Sequence, residues 1–346
     1  MDKKRVLYFD YLRVVACFLV IIIHTVANYE ERLVRTSFTY YAGDLMKTIG
    51  FSGVAIFFAI SGAIFLSPEI SGEGVNIKKL WTRNILRLVL SYVIWSWFYT
   101  ATVWWGKFPM NPETVSLFFQ EFLYGTPMYH LWFIPALVSI YIIVPVLKPG
   151  FKEQSVAKYF VVAAFIVQIL LHDIYKYDYF WEVGFDAVYH RFPLIMLASN
   201  LVYFVLGLYL YRQDYSGKQR IVIYSFAGAL LIITKAVDYS RDVIGRATEL
   251  NSLTVYFTTF ALFVLFKYMP IKETKFRKFI AGLSKLTFGI YLLHPKVLDT
   301  IGIPVAMKLP IPYIFRLPMT AVITFAVCAA IIFVLSKIPV INKYLI

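Results

Sequence analysis

The sequence predicts an all-α, polytopic membrane protein with about ten transmembrane helices, and three observations predict it. Hydrophobic residues fill 60% of the 346 positions and charged residues only 16%, against roughly 45–50% and about 25% in a soluble domain. The apolar residues run continuously, over lengths near the ~17–25 residues of a spanning helix, instead of alternating as in a membrane strand. The connections between these runs switch regularly between basic and mixed or acidic character. The mean hydropathy of +0.69 agrees. A net charge of +14 would suggest nucleic acid in a soluble chain. Here the basic residues sit mainly in short loops, so topology explains them and no nucleic-acid partner is expected.

The first segment, 6–28, follows Lys3, Lys4 and Arg5. It is too long for a signal-peptide core and no small-residue cleavage site follows it, so it reads as an uncleaved first span. The remaining segments are 45–66, 82–105, 130–147, 156–172, 193–211, 220–235, 252–269, 283–299 and 315–336, of which 156–172 and 220–235 are short. One set of loops is basic: Lys3 to Arg5, then Lys78, Lys79 and Arg83, then Lys148, Lys152 and Lys158, then Arg212, Lys218 and Arg220, then Lys267 to Lys278, and finally Lys337 and Lys343. The other set carries Glu30, Glu31, Arg32 and Arg35, then Glu113 and Glu121, then Asp173, Asp178, Glu182 and Asp186, then Asp238, Arg241, Asp242, Arg246 and Glu249. Ten spans put these sets on opposite sides, and the positive-inside rule then places both termini in the cytoplasm. Residues 1–346 read as one integral membrane domain with no soluble appendage. No internal repeat is visible, which disfavours repeat-built transporters. Cys17 and Cys328 both lie in apolar segments, so no disulfide framework is expected. The aromatic run of Tyr175, Tyr177, Tyr179, Phe180 and Trp181 in an outer loop fits an interfacial belt, or could floor a sugar site by stacking.

Ionisable residues inside a span are costly and read as functional. Arg13 and His24 share the first span, eleven residues apart. At ~100° per residue that is about three turns plus roughly 20°, so they share a face, about 16 Å apart along the axis. Arg13 lies toward the cytoplasmic end and His24 toward the outer end. All five histidines (His24, His130, His172, His190 and His294) map to the outer half. His172 and His190 flank a loop, where hydrogen bonding to water or backbone suffices as an explanation. His24 and His294 sit within apolar helices, where a functional role is the better reading and a satisfied core histidine the alternative. No His-x3-His or Glu-rich spacing supports a metal site, and no resident cofactor is expected.

Arg83 and Arg87, four residues apart at the start of the third segment, share a helix face. With Arg13, Lys78 and Lys79 they could form an inner basic pocket, or they could snorkel to lipid phosphate. Arginine suits phosphate, and an unperturbed imidazole suits general-base work on a hydroxyl. The pattern fits an acyl-CoA whose phosphates are held inside while its thioester reaches His24.

The same residues carry a resemblance. The chain resembles the acyltransferase family 3 membrane proteins, in particular the WecH-like surface-polysaccharide O-acetyltransferase branch. The matching pieces are Asp10-x2-Arg13-x10-His24, GVAIFFAISGAIFL (Gly53 to Leu66), KKLWTRNILRL (Lys78 to Leu88), HLWFIPAL (His130 to Leu137) and LSKLTFGIYLLHP (Leu283 to Pro295). They occur in family order from about residue 6 to 336. The resemblance implies transfer of an acyl group, usually acetyl, from cytosolic acyl-CoA to a sugar hydroxyl of an extracytoplasmic glycan or lipid-linked saccharide at a bacterial cell membrane. It implies His24 as catalytic base and Arg13, Arg83 and Arg87 as donor-binding groups. His130 and His294 are placed near the acceptor by position alone. A serine-hydrolase-like C-terminal domain found in longer members is absent from this chain. Transfer would then finish within the membrane, or the acyl group would pass to another protein. The rival readings are a transporter or flippase for a glycan, or a small-molecule permease, each lining a path with the same charges.

Overall fold

A computed structural model describes residues 5–35, 37–104, 112–124, 128–171, 173, 199–243 and 252–345. Among these residues every regular element is helical. The main helices are α1 (Tyr8–Glu30), α2 (Phe38–Leu66), α3 (Leu86–Trp104), α4 (Pro112–Tyr124), α5 (Phe133–Gly150), α6 (Gln154–Ala164), α7 (Ser199–Arg212), α8 (Gly217–Val243), α9 (Ser252–Lys267), α10 (Lys275–Val297) and α11 (Tyr313–Leu335). Wider π-helical turns at Leu80–Ile85, Phe165–Leu170 and Leu298–Gly302 abut α3, α6 and α10.

Among the described residues five stretches are long and apolar enough to cross a membrane: Tyr8–Glu30, Phe38–Leu66, Tyr129–Gly150, Gly217–Ser240 and Tyr313–Leu335. The other expected segments also fold as helices over their described residues. They fall short of that standard for separate reasons. α9 has 16 residues, so it is only about 24 Å long at ~1.5 Å per residue. α10 carries Lys275, Arg277, Lys278, Lys285 and Lys296 among its apolar positions.

Several boundaries differ from the sequence expectation, and capping explains two of them. α2 starts at Phe38, seven residues before 45, because the Ser37 side chain accepts the Tyr40 N–H at 3.1 Å. α10 starts at Lys275 because the Thr274 hydroxyl accepts the Arg277 N–H at 3.2 Å. Each cap satisfies a backbone donor that the first turn leaves open. Lys275, Arg277 and Lys278 therefore lie on a helix and not in a loop. α4 forms inside the stretch 106–129, which reads as a connection in the sequence. His172, His190 and the aromatic run from Tyr175 to Trp181 lie outside the described residues.

α2 is the structural axis. It packs along α1 on one side and along α7 on another. Small residues make the approach possible. Cβ atoms added at Gly53 and Gly50 would meet the Ala16 carbonyl oxygen at 2.5 Å and the Ile23 side chain at 2.7 Å. At Gly62 an added methyl would overlap the Phe204 carbonyl, and at Gly207 the Ala59 carbonyl. Two helix backbones therefore touch where α2 crosses α7. α10 and α11 close around the other face of α1, and this brings the ninth segment against Arg13 and His24.

Candidate active site

α1 delivers Arg13 and His24 to two separate places. Around His24, three imidazoles converge. The His24 ring lies 5.2 Å from that of His294, nearly parallel at 25°, and 4.5 Å from the Tyr129 ring. His130 closes the group, 5.1 Å from His294. His130 and His294 are buried, and His24 is half-buried.

Local sequence fixes how two of these rings present their nitrogens. Pro295 sits inside α10 and has no N–H to give to the carbonyl four residues earlier. That carbonyl, on Tyr291, instead meets His294 Nδ1 at 2.6 Å. A carbonyl can only accept, so Nδ1 holds the proton and the neutral ring keeps Nε2 unprotonated. Among the described residues His294 Nε2 has no hydrogen-bond partner. The same logic holds for His130. Its Nε2 donates to the Leu292 carbonyl at 3.3 Å, and its Nδ1 has no partner among the described residues. Tyr99 donates to that same carbonyl at 2.7 Å, and the Tyr291 hydroxyl donates to the His130 carbonyl. Two buried imidazoles are therefore pinned by backbone oxygens with a lone pair free, beside a third ring that is half open. The rings meet by stacking and edge contacts and do not make a metal site: among the described residues no group of three His, Cys, Asp or Glu is arranged to hold an ion.

The arginines meet elsewhere. Arg13, Arg83 and Arg87 line one cavity of about 290 Å³, together with Asn84, Ser61 and Tyr141. Among the described residues no carboxylate lines it. Arg83 belongs to the π-helical turn Leu80–Ile85, and Arg87 to the first turn of α3. Such wide turns recur at functional sites. Arg87 also lies over the Phe288 ring, 5.6 Å from its centre. Arg13 is steadied from below by buried Asp10, 3.5 Å away. Asp10 is itself held by Arg5 at 2.8 Å and by the Ser284 hydroxyl at 2.9 Å.

Phe133 and Tyr291 line this cavity on the side of the histidines. The Tyr291 ring is 5.2 Å from that of His130. One aromatic layer therefore separates the arginine cavity from the imidazole cluster. The structure groups Arg13, Arg83 and Arg87 in one place and His24, His130 and His294 in another, whereas Lys78 and Lys79 do not line the arginine cavity. Asp10, Asn84, Tyr99, Tyr129 and Tyr291 add to them. Only Pro295, directly after His294, gives a sequence signal for the pinned ring.

No curated protein and no solved structure matches the chain. A family model, described as an acyltransferase domain, matches residues 6–336, a stretch that contains both groups of residues. This multi-pass helical membrane protein belongs to the acyltransferase domain family.

Proposed function

We propose that the protein is a membrane O-acyltransferase of the WecH-like branch, moving an acyl group, in particular acetyl, from cytosolic acyl-CoA to a sugar hydroxyl of an extracytoplasmic glycan or lipid-linked saccharide. In this reading residues 1–346 form one domain. All ten segments cross the bacterial cytoplasmic membrane, with both termini in the cytoplasm. The observation that carries it is the division of α1: three guanidinium groups around a carboxylate-free cavity at one end, three imidazoles at the other.

Arg13, Arg83 and Arg87 take the phosphates of the donor, which arginine binds through charge-assisted hydrogen bonds. A cavity of about 290 Å³ is at the lower end of the ~300–1,000 Å³ of ligand pockets. It suits the pantetheine arm, while the nucleotide stays at the exposed edge near Arg83. The thioester passes Phe133 and Tyr291 to reach the histidines. His24, the most open of the three rings, takes the proton of the acceptor hydroxyl as that oxygen attacks the thioester carbonyl carbon. The carbon–sulfur bond breaks, and the imidazolium returns the proton to the departing thiolate. His130 and His294 border the acceptor and offer their free nitrogens to its other hydroxyls.

The test is binding of acetyl-CoA to purified protein in detergent, followed by transfer of labelled acetate to surface polymer. Saturable binding that weakens in Arg13→Ala, with label on the polymer in wild type and not in His24→Ala, is the expected result. Absence of donor binding by well-folded protein would overturn the proposal in favour of a transporter or flippase.

A further inference from the structure

A second site lies on the opposite face of α10. Between α10 and α11 runs a cleft of about 740 Å³, walled by Phe279, Leu283, Leu286, Phe325 and Phe333. Lys278, Lys285 and Lys337 also line it, and among the described residues no acidic one does. Among the described residues no carboxylate pairs with any of these three lysines, and Lys337 lies 4.4 Å from the centre of the Phe333 ring.

Three features of the chain build this cleft. Lys278 and Lys285 are seven residues apart on α10, two turns, so both face the cleft about 10 Å apart along the axis. Gly282 stands between them, and a Cβ there would meet nothing within 4 Å, so it leaves a notch between the two stems. The short helix Pro339–Tyr344 brings Asn342 to the mouth. That helix is tied to α3, where the Ser91 hydroxyl donates to the Tyr344 carbonyl at 2.9 Å and the Trp95 indole N–H to the Leu345 carbonyl at 3.4 Å.

The geometry points to a site for an anionic phospholipid. From Phe325 to the end of α11 at Leu335 is ten residues, about 15 Å along the axis, with Lys337 in the turn that follows. That is close to the ~15 Å hydrocarbon depth of a single leaflet. Lys278 and Lys337 lie toward one end of this length and Lys285 about 10 Å further along α10, with the aromatic and aliphatic wall running beside and beyond them. A free phosphate would need only the cationic end. An uncharged lipid would need no lysines. A phosphate headgroup held by Lys278, Lys285 and Lys337, with its acyl chain laid on Leu286 and Phe325, uses both. A smaller cavity shares Lys278, Gly282 and Lys285 with this cleft, but its other charges, Arg5 paired with Asp10 and Arg277 paired with Glu273, are already neutralised, so the three lysines carry the charge of the site. The site lies at the same end of the bundle as the arginine cavity and is independent of the transfer reaction.

The experiment is native mass spectrometry of the protein released from mixed bilayers of equimolar phosphatidylglycerol and phosphatidylcholine. Wild type is expected to retain phosphatidylglycerol preferentially. A juxtamembrane basic residue contributes about five-fold in affinity for anionic lipid. Each of Lys278→Gln, Lys285→Gln and Lys337→Gln should therefore lower the preference about five-fold, and the triple variant about 100-fold. Gly282→Leu, which fills the notch and leaves every charge in place, should lower total lipid retention, and it keeps the proposal testable if the triple variant fails to fold. Equal retention of the two lipids by wild type would overturn the assignment, as would an unchanged preference in the single lysine variants. Displacement of the lipid by millimolar inorganic phosphate would also overturn it, since the site would then be one for the free anion.

Discussion

The two ends of α1 solve opposite problems with the same backbone. At the Arg13 end the site is open, charged and steadied from a distance: Asp10 lies 3.5 Å from the guanidinium and shares itself with Arg5 and Ser284. At the His24 end two of three rings are buried and pinned by backbone carbonyls, and they are placed by aromatic contacts instead of ion pairs. The first arrangement attracts a polyanion whose exact position can vary. The second fixes nitrogens for proton transfer, which depends on geometry and tautomer. Binding and chemistry should therefore fail separately when each end is altered.

The largest break is at the histidine end. His24→Ala should lower kcat by ~10²–10⁴-fold, the range for loss of a general base, with donor affinity retained. A variant that binds acetyl-CoA normally and turns over normally would remove His24 from the chemistry. The arginine end should show the mirror image. Arg13→Ala or Arg83→Ala removes charge-assisted hydrogen bonds worth about 1.5–3 kcal/mol each, or roughly 10- to 150-fold in donor KM, with kcat at saturation near wild type. Added salt should weaken donor binding in wild type more than in these variants, because the screened attraction is already reduced there. A kcat loss without a KM change would contradict the division of labour.

A subtler break tests the pinned ring. Pro295→Ala restores an N–H four residues after Tyr291, and that N–H competes with His294 Nδ1 for the Tyr291 carbonyl. Released from its acceptor, the ring should sample both tautomers and lose its fixed heading, at about 10-fold in kcat. Nitrogen chemical shifts of His294 would report the tautomer directly. A ring that stays protonated on Nδ1 in the variant would mean that packing, and not the missing N–H, sets its orientation.

Local chemistry explains what the sequence made legible. The pairing of Arg13 with His24 follows from helical period alone, and Arg83 with Arg87 likewise, so both could be read before any tertiary contact was known. The meeting of His24, His130 and His294 is a tertiary event. It depends on α10 lying against α1 and on the one-turn helix Tyr129–Trp132 seating His130 beneath Tyr99. Position relative to the membrane put these histidines at one depth, but no spacing rule could say that they touch. Tyr291 was invisible for the same reason: within an apolar helix it reads as packing, and only the cavity on one side and His130 on the other give it a role. Helix ends were misjudged where Ser37 and Thr274 caps extend apolar segments into polar sequence, since hydropathy marks the span and not the helix.

The smallest expected effect sharpens the comparison most, because it separates attraction from positioning at the arginine end. Asp10→Asn removes the carboxylate charge near Arg13 while keeping an oxygen to accept from Ser284. If Asp10 merely lowers the net positive charge of the cavity, the variant should bind the donor more tightly. If Asp10 holds Arg13 in place, the variant should bind it less tightly. The ion pair is long, at 3.5 Å, and the Arg13 side chain keeps 31% of its exposure, so its strength belongs with the ~0–1 kcal/mol of solvent-screened pairs. The shift is at most about five-fold in either direction. Ser284 and Arg5 hold the carboxylate from the far side, which favours positioning, so a two- to five-fold rise in donor KM is expected. A fall in KM would instead assign Asp10 to tuning the charge of the cavity. Arg5→Gln would then be the companion variant: it frees Asp10 to turn fully toward Arg13, and should move KM opposite to Asp10→Asn under either reading.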